Sequence, residues 1–342
     1  MMFSALLALA PLPAGACAAA AGLELLECEE TAAGWFYAPD ARLAAMLAAD
    51  AEVAGDLFER YFGEPAPRGA IVVVGSGGEV PEAQIESLEG IGAKWVLPWL
   101  SAEEKQSLRE QTLRRAIATQ LGAKEDDSRV EPLVAKALAQ VTAQDAGKSG
   151  DGGADRSALR HEIGHSLLKR AFWPGQAVGA GDAPHYGGPA PDWLDEVAAV
   201  LMEDDAMTAD RRRALRDLRD SSGGSPGLLP LAEFFVIEHP LKTMAGELVG
   251  RPQHGGVRVH LISGPEAREL GGQAGWFYAQ SRGVADFLIA TSRDERIFGA
   301  IARAATAGQS TEQWLMHEGE SYGLPTTLAE LEADWQVWLL AQ

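Results

Sequence analysis

Two histidines four residues apart, His161 and His165, with Glu162 directly after the first, constrain this chain more than any other feature. On a helix that spacing projects both imidazoles from one face, where they can grip one metal ion. In such an HExxH arrangement the intervening carboxylate faces the water that the metal acidifies, and it can take that water's proton. The flanking residues predict the helix. Asp155 or Ser157 can cap its start, and Ala158, Leu159, Ile163, Leu167 and Leu168 supply apolar positions to about Lys169 or Arg170, with no proline before Pro174. The alternative is an amphipathic surface helix that leaves both histidines in water.

A catalytic zinc takes three protein ligands and keeps one position open, so a further His, Asp or Glu must come from elsewhere in the fold. The metzincin continuation is excluded, because Leu168 and Ala171 stand where it needs Gly and His. The run from Pro191 to Ala199 opens a second helix with acids in its first turn, and Glu196 on it is the expected third ligand.

On the residues His161, Glu162, His165, Pro191, Trp193, Leu194 and Glu196, the chain resembles the gluzincin zinc metallopeptidases, and among them the peptidase MA-like branch. The resemblance implies Zn²⁺ held by His161, His165 and Glu196, with Glu162 as general base in the hydrolysis of peptide bonds. Relatives commonly carry Gly after the ligand glutamate, and thermolysin-like members carry an Asp four residues beyond it that orients a zinc histidine; Val197 and Val200 stand in those places here. Asp192 and Asp195 are the acids available to accept a ligand histidine's outer N–H, and Asp195 is taken as that partner. The segments from Leu228 to Phe235, from Gly275 to Leu288 and from Leu328 to Leu339 resemble further helices of such proteins.

Gluzincins often hold the oxyanion with a Tyr or His from outside the motif, and Tyr278 is the first candidate here, with His185, Tyr186, His254 and His260 as competitors. Lys94 to Leu100 reads as a strand that Pro98 confines to an edge or an end. An edge strand near the zinc helix often binds the substrate backbone in this family, so Trp95, Val96 and Leu97 are the expected substrate-binding residues. The Gly-x-Met-Glu-Asn segment of many gluzincin aminopeptidases is absent, which favours an endopeptidase.

The chain of 342 residues is expected to be α+β, with an N-terminal α/β lobe containing a small sheet packed on a mainly helical zincin-type lobe. Residues 1–20 read as a secretory signal peptide, 21–146 as the N-terminal lobe, 147–154 as a flexible linker and 155–342 as the zinc-binding lobe. Helices are predicted over Arg42 to Phe62 and Ser101 to Leu121, and a buried strand over Ala70 to Val74. The leader implies a secreted or periplasmic protein, with lipid attachment at Cys17 a minor alternative. Cys17 and Cys28 can bridge if cleavage follows Ala16; cleavage after Ala20 would leave Cys28 alone. A net charge of −20 excludes non-specific binding to nucleic acid, and no later segment is apolar enough to span a bilayer. The basic run Arg211 to Arg213 reads as a solvated helix face. Beside the peptidase stands a second functional class, a non-catalytic extracytoplasmic binding or assembly protein that keeps a structural metal site.

Overall fold

The computed structural model describes residue 17 and residues 20–75, 78–145, 153–175, 188–220, 227–242, 257–258 and 264–342. Strands β1 (Glu27–Thr31) and β2 (Gly34–Ala38) form a hairpin; α1 (Ala41–Phe62) then leads to β3 (Gly69–Val74), and short β4 (Glu79–Val80) with α2 (Glu82–Gly90) leads to β5 (Val96–Leu100). The four-stranded sheet has the order β1-β2-β3-β5, antiparallel at β1 and parallel elsewhere. Parallel pairs need crossover helices, and these bury the sheet on both faces. Phe36, Ile71, Val73 and Trp99 turn to α1 and the main core, whereas Trp35, Tyr37, Ala70 and Val72 turn to a second core with Leu23, Val80 and Leu88.

β5 is an edge strand, as Pro98 required. The Ala70 N–H donates to the Trp95 carbonyl at 2.8 Å, so the alternation of a parallel ladder turns the backbone groups of Val96 and Pro98 to the outer edge. The amide hydrogen that proline lacks is one that the sheet does not use. Ser101 caps α3 (Ala102–Leu121), which forms a hairpin with α4 (Val130–Asp145) around a small core of Ala118, Val130 and Val134. Lys105 ties that hairpin to the body, lying 3.7 Å from the centre of the Trp99 ring and pairing with Asp155.

The rest is mainly helical: α5 (Gly153–Phe172), α6 (Asp192–Met202), α7 (Asp205–Asp220), α8 (Leu231–Phe234), α9 (Gly264–Thr291), α10 (Ile297–Thr306), α11 (Thr311–Glu318) and α12 (Leu328–Leu340). A two-residue strand, β6 (Val257–Arg258), pairs with β4. The fold is α+β. The main core runs from the inner sheet face through α1 into α5, α6, α9 and α10, so the stretches before and after the linker share one apolar interior. No described helix is long and apolar enough to cross a membrane.

Two details differ from expectation, and one open alternative is decided. α5 begins at Gly153, so Asp155 and Ser157 lie inside it and are not its caps; Asp155 pairs with Lys105, and Ser157 Oγ accepts the Asp204 N–H at 3.1 Å. Of the linker, residues 147–152 lie outside the described residues and Gly153 and Ala154 are helical. Cys17 and Cys28 form a disulfide, one of the two arrangements that the sequence leaves open, and Ala20 and Leu23 are buried in the second core. The bond also engages the Cys17 sulfur that a lipid anchor would need.

α6 sits at the centre, with every residue from Asp192 to Met202 buried. A buried helix must still satisfy its last carbonyls. Arg160 Nε donates to Met202 O at 2.7 Å, and Arg282 Nη1 donates to Val200 O at 3.2 Å. α5 crosses α6 so closely that a Cβ on Gly164 would lie 2.6 Å from Ala198 O and 2.8 Å from Ala199 Cα. A glycine within the histidine motif is therefore a requirement of packing.

Two outcomes follow from these contacts. Gly164→Ala is expected to cost about 1–3 kcal/mol, read from urea unfolding, because neither backbone can yield locally. Asp286 accepts from Arg212 Nε at 2.7 Å and Arg282 Nη2 at 2.6 Å. Burial raises its pKa, but the two guanidiniums outweigh burial and hold the carboxyl below its usual value. Its contribution is thus present above the ordinary Asp pKa of about 4 and disappears as pH falls through the lower folded value. Asp286→Asn is expected to lose about 2 kcal/mol at neutral pH, with the gap to wild type closing in unfolding experiments run progressively below pH ~4.

Candidate metal centre

The crossing of α5 over α6 brings His161, His165 and Glu196 together, with one ligand atom from each within 4.8 Å of the others. His161 and His165 leave α5 one turn apart, and Ile163, Leu167 and Leu168 on its other faces are buried in the main core. Glu196 is 1 % exposed, and its Oε1 lies 3.5 Å from His161 Nε2. That oxygen is buried and accepts no hydrogen bond from the described residues. A buried carboxylate oxygen without a donor is costly, and two imidazole nitrogens with one carboxylate oxygen form a donor set that suits a divalent ion. These residues therefore fit a metal.

Each of the three has a buried partner on its outer side. His161 Nδ1 lies 3.0 Å from Glu203 Oε1, and Glu203 accepts from Arg211 Nη2 at 2.9 Å. His165 Nδ1 lies 3.1 Å from Asp195 Oδ1, and Lys169 Nζ lies 3.6 Å from the other oxygen of Asp195. Glu196 Oε2 lies 3.6 Å from His239 Nε2. Both α5 imidazoles thus turn Nδ1 to a carboxylate, which leaves Nε2 for the centre. Asp195 stands where the sequence places it, whereas Asp192 accepts the His239 backbone N–H at 2.8 Å.

The same contacts set the charge states. Burial lowers the pKa of His161, but Glu196, the hydrogen-bonded Glu203 and Glu162 together raise it to about 9. Burial raises the pKa of Glu196, yet His161, His239 and His165 hold it below the usual carboxylate range. Glu203 and Asp195 are lowered in the same way against burial, Glu203 by His161 and Arg211 and Asp195 by His165 and Lys169.

Glu162 differs from these acids. It is exposed, and among the described residues its carboxylate makes no hydrogen bond or ion pair. The Tyr278 ring lies 5.9 Å from that of His161 and 5.8 Å from that of His239, and its neighbour Phe277 takes the buried position. Arg211 stacks 4.7 Å from the Tyr278 ring centre. The basic run is therefore divided: Arg213 is solvated, Arg212 reaches Asp286, and Arg211 turns inward.

β5 lies beside α5, and among the described residues its outer edge pairs with no strand. Of the three residues expected to bind substrate, Trp95 is a correction: its side chain is buried over Gly69, its indole N–H donates to Pro67 O at 2.8 Å, and its carbonyl faces β3. The ladder also turns Leu97 N–H to β3, which leaves Val96 with its backbone groups at the outer edge, on a strand that β6 also contacts. His185, Tyr186, His254 and His260 lie outside the described residues.

Glu203, Lys169, Arg211 and His239 carry no motif in the sequence. Glu203 is two helical turns beyond Glu196 and Lys169 one turn beyond His165, a same-face spacing that sequence can show. His239 has no such signal and arrives by chain reversal after α8. No family model, curated protein or solved structure matches the chain.

Glu203→Gln keeps an acceptor for His161 and removes the charge. It is expected to weaken Zn²⁺ binding about 10–100-fold in competition with a chromophoric chelator.

Proposed function

We propose that this protein is a zinc-dependent peptidase of the gluzincin type, acting as an endopeptidase in a secreted or periplasmic setting. The observation that carries the reading is the contrast among the acids: Glu196 Oε1 is buried, accepts no hydrogen bond and lies 3.5 Å from His161 Nε2, while Glu162 is exposed and unengaged one residue from His161. His161, His165 and Glu196 would hold the ion. Zinc, when bound there, polarises a carbonyl and makes water a usable nucleophile near neutral pH.

Glu162 is the general base. Its freedom from any ion pair leaves both oxygens available to take a proton from the attacking water and pass it to the leaving amine. Tyr278 is the donor to the oxygen that becomes negative, and Arg211 fixes its ring from behind. An extended substrate adds along the outer edge of β5, where Val96 offers its N–H and C=O. The partner class is thus a peptide or protein, bound by backbone hydrogen bonds.

The test compares the zinc-loaded protein with Glu162→Gln at equal metal occupancy on a diverse peptide library, read by mass spectrometry. Loss of the base is expected to reduce cleavage by about 100-fold or more. Equal cleavage by the two proteins would remove Glu162 from the chemistry; cleavage by neither would favour the metal-stapled binding protein.

A further inference from the structure

The two oxygens of Glu196 have different neighbours: Oε1 lies 3.5 Å from His161 Nε2. Oε2 faces His239, a residue 4 % exposed whose ring packs edge-on against Phe277 at 4.9 Å. One contact holds the His239 backbone and a second holds its ring. The His239 N–H donates to Asp192 Oδ2 at 2.8 Å, and the Leu241 N–H donates to His239 Nδ1 at 3.1 Å. A ring nitrogen that accepts a hydrogen bond carries no proton, so the neutral imidazole bears its hydrogen on Nε2, the atom turned to Glu196. The separation of 3.6 Å exceeds hydrogen-bonding distance and sets Nε2 beside Oε2 as a close polar neighbour.

We propose that His239 is a positioning residue that holds Glu196 to ligation through one oxygen and so keeps the remaining coordination position clear for water and substrate. This deepens the peptidase reading and rests on the metal site it assumes. A carboxylate with both oxygens available can close on a metal through both, and a catalytic zinc needs an open position. His239 does not join the ligands: the convergent group consists of His161, His165 and Glu196. Its neutral Nε2–H supplies the restraint without adding charge.

Two variants separate the restraint from packing. His239→Asn retains an acceptor near Nδ1 for Leu241 but has nothing at Nε2; His239→Gln reaches the Nε2 position with an N–H but loses the Nδ1 side. The full-length proteins are loaded with Co²⁺, whose visible absorption distinguishes four from five ligands. The Asn variant is expected to lose about twofold or more in absorptivity, and the Gln variant to match wild type. With zinc, kcat of the Asn variant falls about 10-fold at little-changed KM. An Asn spectrum identical to wild type overturns the proposal, as does a Gln variant that behaves like Asn. If neither variant folds, ¹⁵N-histidine spectra of the wild-type protein decide: a neutral Nε2–H tautomer for His239 that persists on adding Zn²⁺ upholds the role, and an Nδ1–H tautomer or a metal-shifted ring overturns it. Failure of the underlying site is separately visible, since wild type would then take up no more Co²⁺ than His165→Ala, and the proposal would fall with it.

Discussion

Backbone meets backbone where α5 crosses α6, and the ligand geometry depends on that approach. Gly164 stands against the Ala198 carbonyl and Ala199 Cα with no room for a side chain. Interaxial distance follows the size of the residues at the contact, so glycine against two alanines draws the helices together. A wider crossing would carry Glu196 away from His161 and His165. Because α6 is buried on every side and shares its core with α1 and the inner face of the sheet, its position is determined by the whole apolar interior. The site thus takes its precision from close-packed rigid elements.

Packing alone would leave the imidazoles free to rotate, and the outer partners prevent that. Glu203 is hydrogen-bonded to His161 Nδ1 and accepts from Arg211, whereas Asp195 lies beside His165 Nδ1 and Lys169 Nζ as an ion-pair neighbour of both. Four carboxylates, Glu162, Asp195, Glu196 and Glu203, face two cationic side chains here. With neutral imidazoles the group carries a charge of −2, which a divalent cation balances. The raised pKa of His161 expresses the same imbalance, since a proton there partly replaces the missing positive charge.

What sequence reveals and what it hides divide along physical lines. The helix of His161 and His165, the helix of Glu196 and the edge position of Pro98 all follow from local periodicity, end signals and the missing proline hydrogen. Asp195 is legible because it shares a helix with a ligand. Arg211 is misleading, because three successive arginines suggest a solvated face and only the fold turns one of them onto Glu203 and Tyr278. His239 is illegible, since its place depends on the path of the chain after α8 and on a hydrogen bond from the Leu241 backbone. Trp95 misleads in the other direction: an aromatic residue near an expected binding edge is used for packing over Gly69.

The distribution of burial among the acids bears on why such a centre is kept. A core that extends from the sheet to α10 gives a chain of this size enough apolar burial to fold without a metal staple. Buried charges are a net cost even when paired, and hydrophobic replacements of similar volume are often as stable or more so. Stability alone therefore gives no reason to retain Asp195, Glu196, Glu203, Arg211 and Lys169 together in the interior. Nor does it give a reason for Glu162, which contributes no pairing and stands exposed beside the ligands. Two buried acids set against a histidine and a cation, one buried acid turned to His161 and one exposed acid left free would suit the proposed metal-assisted proton transfer, which calls for a ligand frame and a base that is not already bound.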